Sequence, residues 1–308
     1  MDHVKGFPFK VKVTRDYVRR TVERALREDI SRGDVTTRLV VSPTRRATAA
    51  LLLKDDGVVA GFAAFSAAFA GVDPRVKVAF KADQGMWCER GTAVATVAGR
   101  AASILTAERV ALNFVQRLSG VATATRRFVE AVSGTGVKIL DTRKTTPNLR
   151  LLEKEAVCLG GGFNHRPDLA SLVLIKDNHI RSVGSIARAV SLARRGATGL
   201  PIEVEVSPEV DLDEIADLDV DLLMFDNWPL APLRRAIRRS RGFRSRPLIE
   251  VSGRVRLDNV RAVALAGPDF ISVGYITHSA AALDLSLDLR SRESKGTLNC
   301  RTSRRKSY

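Results

Sequence analysis

Between residues 137 and 273 six short apolar runs, VKIL, LVLI, IEVEV, DLLMF, PLIEV and DFISV, alternate with helix-forming stretches. Each run is too short for a helix and has little period-two alternation, as expected of strands covered on both faces. Such alternation predicts βαβ units around a parallel sheet, an α/β fold. IEVEV is the exception: Glu203 and Glu205 point one way, and Ile202, Val204 and Val206 the other. Six runs are fewer than the eight strands of a closed barrel, which leaves an incomplete α/β barrel of about six βα units or an open doubly wound sheet. Polar residues at the carboxyl ends of the runs favour the barrel, whose site lies on that face.

Upstream the pattern changes. Thr14 is placed to cap a helix in which Val18, Val22, Ala25 and Leu26 share a face and which ends near Asp29. From Arg46 to Arg100 the β-like runs ATAALLL, VKVAF and AVATVAG surround the helical GFAAFSAAFAGV, which reads as an α+β domain. A helical tract follows from Ala102 to about Val132, and Ser119-Gly120 predicts a break or bend in it. The domain boundary is placed there: 1–118 form the first domain, completed by part of 279–290, and 119–278 form the second. The basic tail 291–308, with Arg301, Arg304, Arg305 and Lys306, is expected to be disordered.

No apolar run approaches the roughly 20 residues of a membrane span, and MDHVKGFPFK lacks the apolar core of a secretory signal. Cys88, Cys158 and Cys300 have neither CxxC spacing nor histidines beside them, so reduced thiols in a cytoplasmic protein are expected rather than a zinc site or disulfides. A formal charge of +16 fits either nucleic acid or small anionic substrates.

The strand ends carry the chemistry. The first runs into Asp141-Thr142-Arg143-Lys144-Thr145-Thr146-Pro147, whose Arg fork and mobile Lys charge together suit an anion, although a solvated turn would look alike. Gly160-Gly161-Gly162-Phe163-Asn164-His165-Arg166 follows, a glycine run that can orient amides toward an anion or serve as a flexible loop. Lys176 ends an apolar strand, where an unpaired ammonium is costly, while His165 and His179 can equally be structural. Glu205 and Asp226 end consecutive strands and can hold Mg²⁺ with water, accept from ribose hydroxyls, or pair with neighbouring cations. Ser252-Gly253-Arg254 and Ser272-Val273-Gly274, ahead of His278, place small residues at helix starts after the last strands, a common phosphate position in barrels.

Taken in order, EDISRGDVTT, AERVALNFVQRLSGVAT, DTRKTTP, GGGFNHR, LIKDNHI, IEVEV, MFDN, IEVSG and ISVGYITHS resemble the quinolinate phosphoribosyltransferase family, also called carboxylating nicotinate-nucleotide pyrophosphorylases, over almost the whole chain. The resemblance implies an amino-terminal α/β sandwich joined to an incomplete α/β barrel. It implies transfer of a phosphoribosyl group from phosphoribosyl pyrophosphate to quinolinate, with Mg²⁺, giving nicotinate mononucleotide, pyrophosphate and carbon dioxide in NAD biosynthesis. It also implies a homodimer, or a higher oligomer built from it, in which each amino-terminal domain closes the partner's barrel mouth.

Carried over by position, Arg143, His165, Arg166 and Lys176 would surround the quinolinate carboxylates, with Arg109 from the partner subunit. Lys144 and Lys176 would meet the phosphoribosyl donor, Glu205 and Asp226 the ribose and Mg²⁺, and Ser252, Gly253, Gly274 and His278 the 5-phosphate. Lys144, Lys176, Glu205 and Asp226 are the expected catalytic residues. Two departures stand out: Arg254 replaces the second glycine of the family's Ser-Gly-Gly, and Asn148 follows the proline where glycine is common. If position 254 requires a positive φ, Arg254 is strained there, whereas Asn tolerates that geometry.

Three rivals are weighed. A related phosphoribosyltransferase-like protein, as in the homologues associated with molybdenum transport, would take another anion, but Arg109, Arg143, His165 and Arg166 together favour a dicarboxylate. A nucleic-acid-binding protein would fit the charge, but the chain has no helix-turn-helix, zinc-finger or RNA-binding signature. A noncatalytic homologue would have lost the strand-end polar residues, which are present.

Overall fold

The computed structural model describes residues 7–196, 199–208 and 212–290; the tail expected to be disordered lies outside them. Two compact units emerge among the described residues: Val13–Thr123 with 281–290, and Ala124–Ala280 with 7–12. Residues 7–12 thus group with the second unit rather than the first. The physical reason is that Phe7 and Phe9 find partners there: Phe7 packs edge-on against Phe270, Phe9 packs against the same apolar cluster, and the Phe9 amide donates to the Asn164 carbonyl (2.9 Å).

The first unit carries a four-stranded antiparallel sheet in the order Leu285–Arg290, Arg46–Leu53, Ala93–Arg100, Lys77–Phe80. The helix Arg15–Ile30 begins where Thr14 accepts from the Tyr17 amide and buries Val18, Val22 and Leu26. It lies so close to the helix Phe62–Val72 that a Cβ on Gly71 would sit 2.6 Å from Leu26 Cδ1.

The long helix runs from Ala101 to Ala131 without the break expected at Ser119-Gly120. Those residues serve close approach instead. The Ser119 hydroxyl accepts from the Ala60 amide at 3.0 Å, and a Cβ on Gly120 would collide with the Ala281 carbonyl oxygen. Glycine inside a helix costs only about 1 kcal/mol, which packing of this kind readily offsets. Among the described residues no helix is long and apolar enough to cross a membrane.

The second unit holds six parallel strands: Lys138–Leu140, Val173–Ile175, Ile202–Val206, Leu222–Asp226, Leu248–Ser252 and Phe270–Ser272. Their spatial order is first, sixth, fifth, fourth, third, second, so the first and second strands are the two edges. Leu140 from one edge and Leu172 beside the other nevertheless belong to one buried cluster with Leu222, Phe270 and Phe7. Contact between opposite edges requires the sheet to curl, which makes it an incomplete barrel rather than an open sheet.

At the gap, Phe163 forms a one-residue parallel bridge to Leu140, its amide donating to the Ile139 carbonyl at 2.8 Å. Alternate residues face inward. The same parity that puts Leu222, Leu248 and Phe270 in or against the apolar cluster places Glu203 and Glu250 inside, and Glu205, Asp226 and Ser252 nearer the carboxyl ends.

Candidate active site

The lower tier of the site is a buried ionic frame. Asp141, at the end of the first strand, pairs with Lys154 of the helix Arg150–Leu159, and both are fully buried. Burial pushes the Asp141 carboxyl up and the Lys154 ammonium down, and each charge opposes that shift in the other. The pair holds the next segment: the His165 amide donates to Asp141 Oδ1 (2.9 Å), Lys154 donates to the His165 carbonyl (2.9 Å), and the Asn164 amide group donates to Asp141 Oδ2 (2.7 Å). The His165 ring turns inward, with Nε2 3.1 Å from Glu203 and 3.4 Å from Glu250. Burial, the largest effect, disfavours its cation, but Glu250 and then Glu203 together would push it up to about 10.

Above this tier stand the cations. Arg166 is buried and donates to the Leu172 carbonyl at 3.0 Å. Its pKa is lowered by burial and by the nearby Arg143 charge, with Glu203 and Asp168 acting the other way. Buried Arg143 Nε has no hydrogen-bond partner among the described residues, the signature of a fork that awaits an acceptor. Lys176 forms an ion pair with Glu205 across two strand ends. His179 is structural, accepting from the Lys176 amide at 2.9 Å and closing the start of the helix Asp177–Val183.

The other end of the mouth is a cavity of about 630 Å³ lined by Lys144, Ser252, Gly253, Arg254, Gly274 and His278 among others. Gly253 has φ +87°, and a Cβ there would run into the Asn227 side chain; a Cβ on Gly274 would press on His278 (3.1 Å) and Lys144 (3.2 Å). Glycine is required at both positions because neighbouring protein groups already fill the space a side chain would take. Arg254 does adopt a positive φ (50°), as does Asn148 (65°). Asn259 clamps the strained loop, donating to the Arg254 carbonyl (3.1 Å) and accepting from the Arg256 amide (2.9 Å). Asp226 is oriented by Asn227, whose amide group donates to Oδ2 at 2.7 Å.

Lys144, Ser252, Gly253, Gly274 and His278 thus share one cavity, and Lys176 meets Glu205. Arg109 lies exposed on the long helix of the first unit. His165 faces the barrel interior rather than the mouth. Glu205 and Asp226 offer hard oxygen ligands, few enough to leave positions for water and phosphate oxygens, the donor set Mg²⁺ prefers. Sequence alone assigns no role to Asp141, Glu203 or Glu250 and does not single out Lys154. A full Lys inside a helix and a Glu inside an apolar run were the available signals, since neither is buried without a partner.

Residues 121–288 match the model of the quinolinate phosphoribosyl transferase C-terminal domain, and 34–119 that of the N-terminal domain. The carboxylating nicotinate-nucleotide pyrophosphorylase of Mycobacterium leprae (strain TN) is 40% identical over 279 residues, 89% of this chain and 98% of the relative. A probable enzyme of the same name from Bacillus subtilis (strain 168) is 39% identical over 263 residues, 85% of this chain and 90% of its own. The solved nicotinate-nucleotide pyrophosphorylase of Francisella tularensis superposes with a TM-score of 0.86 at 36% identity, covering 94% of this chain and all of that one. With both domain models matched in order and the frame beneath the strand ends intact, the chain belongs to the quinolinate phosphoribosyltransferase family.

Proposed function

We propose that the protein transfers a phosphoribosyl group from phosphoribosyl pyrophosphate to quinolinate and releases carbon dioxide, forming nicotinate mononucleotide. The observation that carries this reading is the pairing of two sites on one mouth. Arg143, close enough for its charge to act on Arg166, and Arg166 itself suit two adjacent carboxylates. The Lys144, Ser252, Gly253 and Gly274 cavity suits a sugar phosphate.

The chemistry asks little covalent work of the protein. As the pyridine nitrogen approaches the anomeric carbon, the bond from that carbon to the pyrophosphate oxygen breaks and positive charge develops on the ribose, which Glu205 and Asp226 would stabilise. Lys144 and Lys176 would meet the negative charge on the departing pyrophosphate. Glu205 and Asp226 would also hold Mg²⁺, which when bound supplies further neutralisation of the phosphates. The arginines orient the ring, so that the pyridinium formed by transfer can stabilise the electron pair left on the adjacent carbon as carbon dioxide leaves.

The reading extends to a cytoplasmic homodimer in which Arg109 of the partner subunit reaches the dicarboxylate. Purified protein given both substrates and Mg²⁺ is expected to release pyrophosphate and carbon dioxide in equal amounts, and neither when nicotinate replaces quinolinate. Turnover of nicotinate, or none of quinolinate, would reject it.

A further inference from the structure

Glu203 and Glu250 are fully buried and take no part in the chemistry above, and among the described residues their four carboxylate oxygens and His165 Nε2, which approaches them, have no hydrogen-bond partner. With His165 they have the composition of a metal site, their ligand atoms lying within 4.8 Å of one another. The other ring nitrogen argues against that use. The Arg166 amide donates to His165 Nδ1 at 2.7 Å, which requires a lone pair there. The single ring proton must then sit on Nε2, so this nitrogen is a donor facing two acceptors and not a metal ligand. The same bond opposes the imidazolium that the two carboxylates favour. Turning the ring over would aim carbon atoms at both the amide and the carboxylates.

We propose that Glu203 and Glu250 are positioning residues: they hold His165 as a fixed Nε2–H donor and thereby anchor the backbone from which Arg166 reaches the dicarboxylate. His165 is then tied by its amide to Asp141, by its carbonyl to Lys154 and by Nδ1 to the Arg166 amide, while Nε2 faces the two carboxylates at 3.1 and 3.4 Å. The buried negative charge also faces Arg166, on which Glu203 acts directly, and so eases the placing of Arg166 beside Arg143. The inference rests on the dicarboxylate reading for its consequence, but not for the tautomer.

The ring nitrogens of the unaltered protein test the tautomer directly. In nitrogen-15 spectra His165, identified among four histidines by its loss in His165→Gln, is expected to show one pyridine-type and one pyrrole-type nitrogen across the neutral range, unchanged by added Zn²⁺. Two pyrrole-type nitrogens, or a Zn²⁺-dependent change at Nε2, would overturn the proposal.

Kinetics test the positioning. One N–H needs one acceptor, so Glu203→Met and Glu250→Met should each change the quinolinate KM little. The double variant should raise it about 10- to 100-fold, as loss of an orienting shell does, with the KM for phosphoribosyl pyrophosphate unchanged. Glu203→Gln combined with Glu250→Met should recover most of the loss, because the Gln carbonyl again accepts. A double variant with an unaltered quinolinate KM, or one that weakens both substrates equally, would overturn the proposal. If the double variant fails to fold, the spectra decide. Absence of quinolinate turnover by the unaltered protein would reject the functional reading and leave the tautomer result standing.

Discussion

Arg254 holds a left-handed backbone that glycine adopts freely, a conformation costing an L-residue on the order of 1–2 kcal/mol. Arg254→Gly removes that cost but also loosens the unfolded chain, by about 0.5–1 kcal/mol. Stability measured by urea unfolding should therefore stay level or rise slightly. The same change removes a cation from the phosphate cavity, and the KM for phosphoribosyl pyrophosphate should rise about fivefold, equivalent to ~1 kcal/mol for a partly solvated charge contact. Lys154→Met has the opposite profile: it strands buried Asp141 and should cost about 3–5 kcal/mol in denaturant titration. The Arg254 conflict could be read from the sequence, because a bulky residue in a glycine position has a local meaning. The Lys154 pairing could not, since nothing local to a helical Lys says that it points at a strand end thirteen residues upstream.

At the level of elements, Gly120→Ala sets two effects against each other. Alanine favours the helix by about 1 kcal/mol, but its methyl meets the Ala281 carbonyl, and overpacking of this kind costs typically 1–3 kcal/mol. Because the obstacle is backbone and cannot rotate away, net destabilisation is expected, seen as a lower urea midpoint. The six strands and the capped opening helix were legible because apolar run length and Thr14 are local signals. The unbroken helix was not: the same Ser-Gly pair serves a bend or a close contact, and only the distant partners, Ala60 for Ser119 and Ala281 for Gly120, distinguish them. In IEVEV the shared face of Glu203 and Glu205 could be read correctly, yet parity alone does not say that one lies two residues deeper and meets His165.

For the whole molecule, a shared site predicts complementation. Arg109→Ala and Lys176→Ala should each fold and each lose turnover; mixed and allowed to exchange subunits, they should regain up to about a quarter of the activity, since one site in a hybrid dimer escapes both changes. Hybrid dimers without activity would count against Arg109 acting across subunits. The charge of +16 predicts only nonspecific association with nucleic acid, lost steeply as salt is added while turnover persists. The amino-terminal segment has a further consequence. Phe7 packs its ring edge against His165 from the apolar side of the barrel, so it keeps the medium around Glu203 and Glu250 poorly polarisable, and charges there act over distance with little loss. Trimming the chain through Phe9 would hydrate that medium from below and should make quinolinate affinity sensitive to ionic strength.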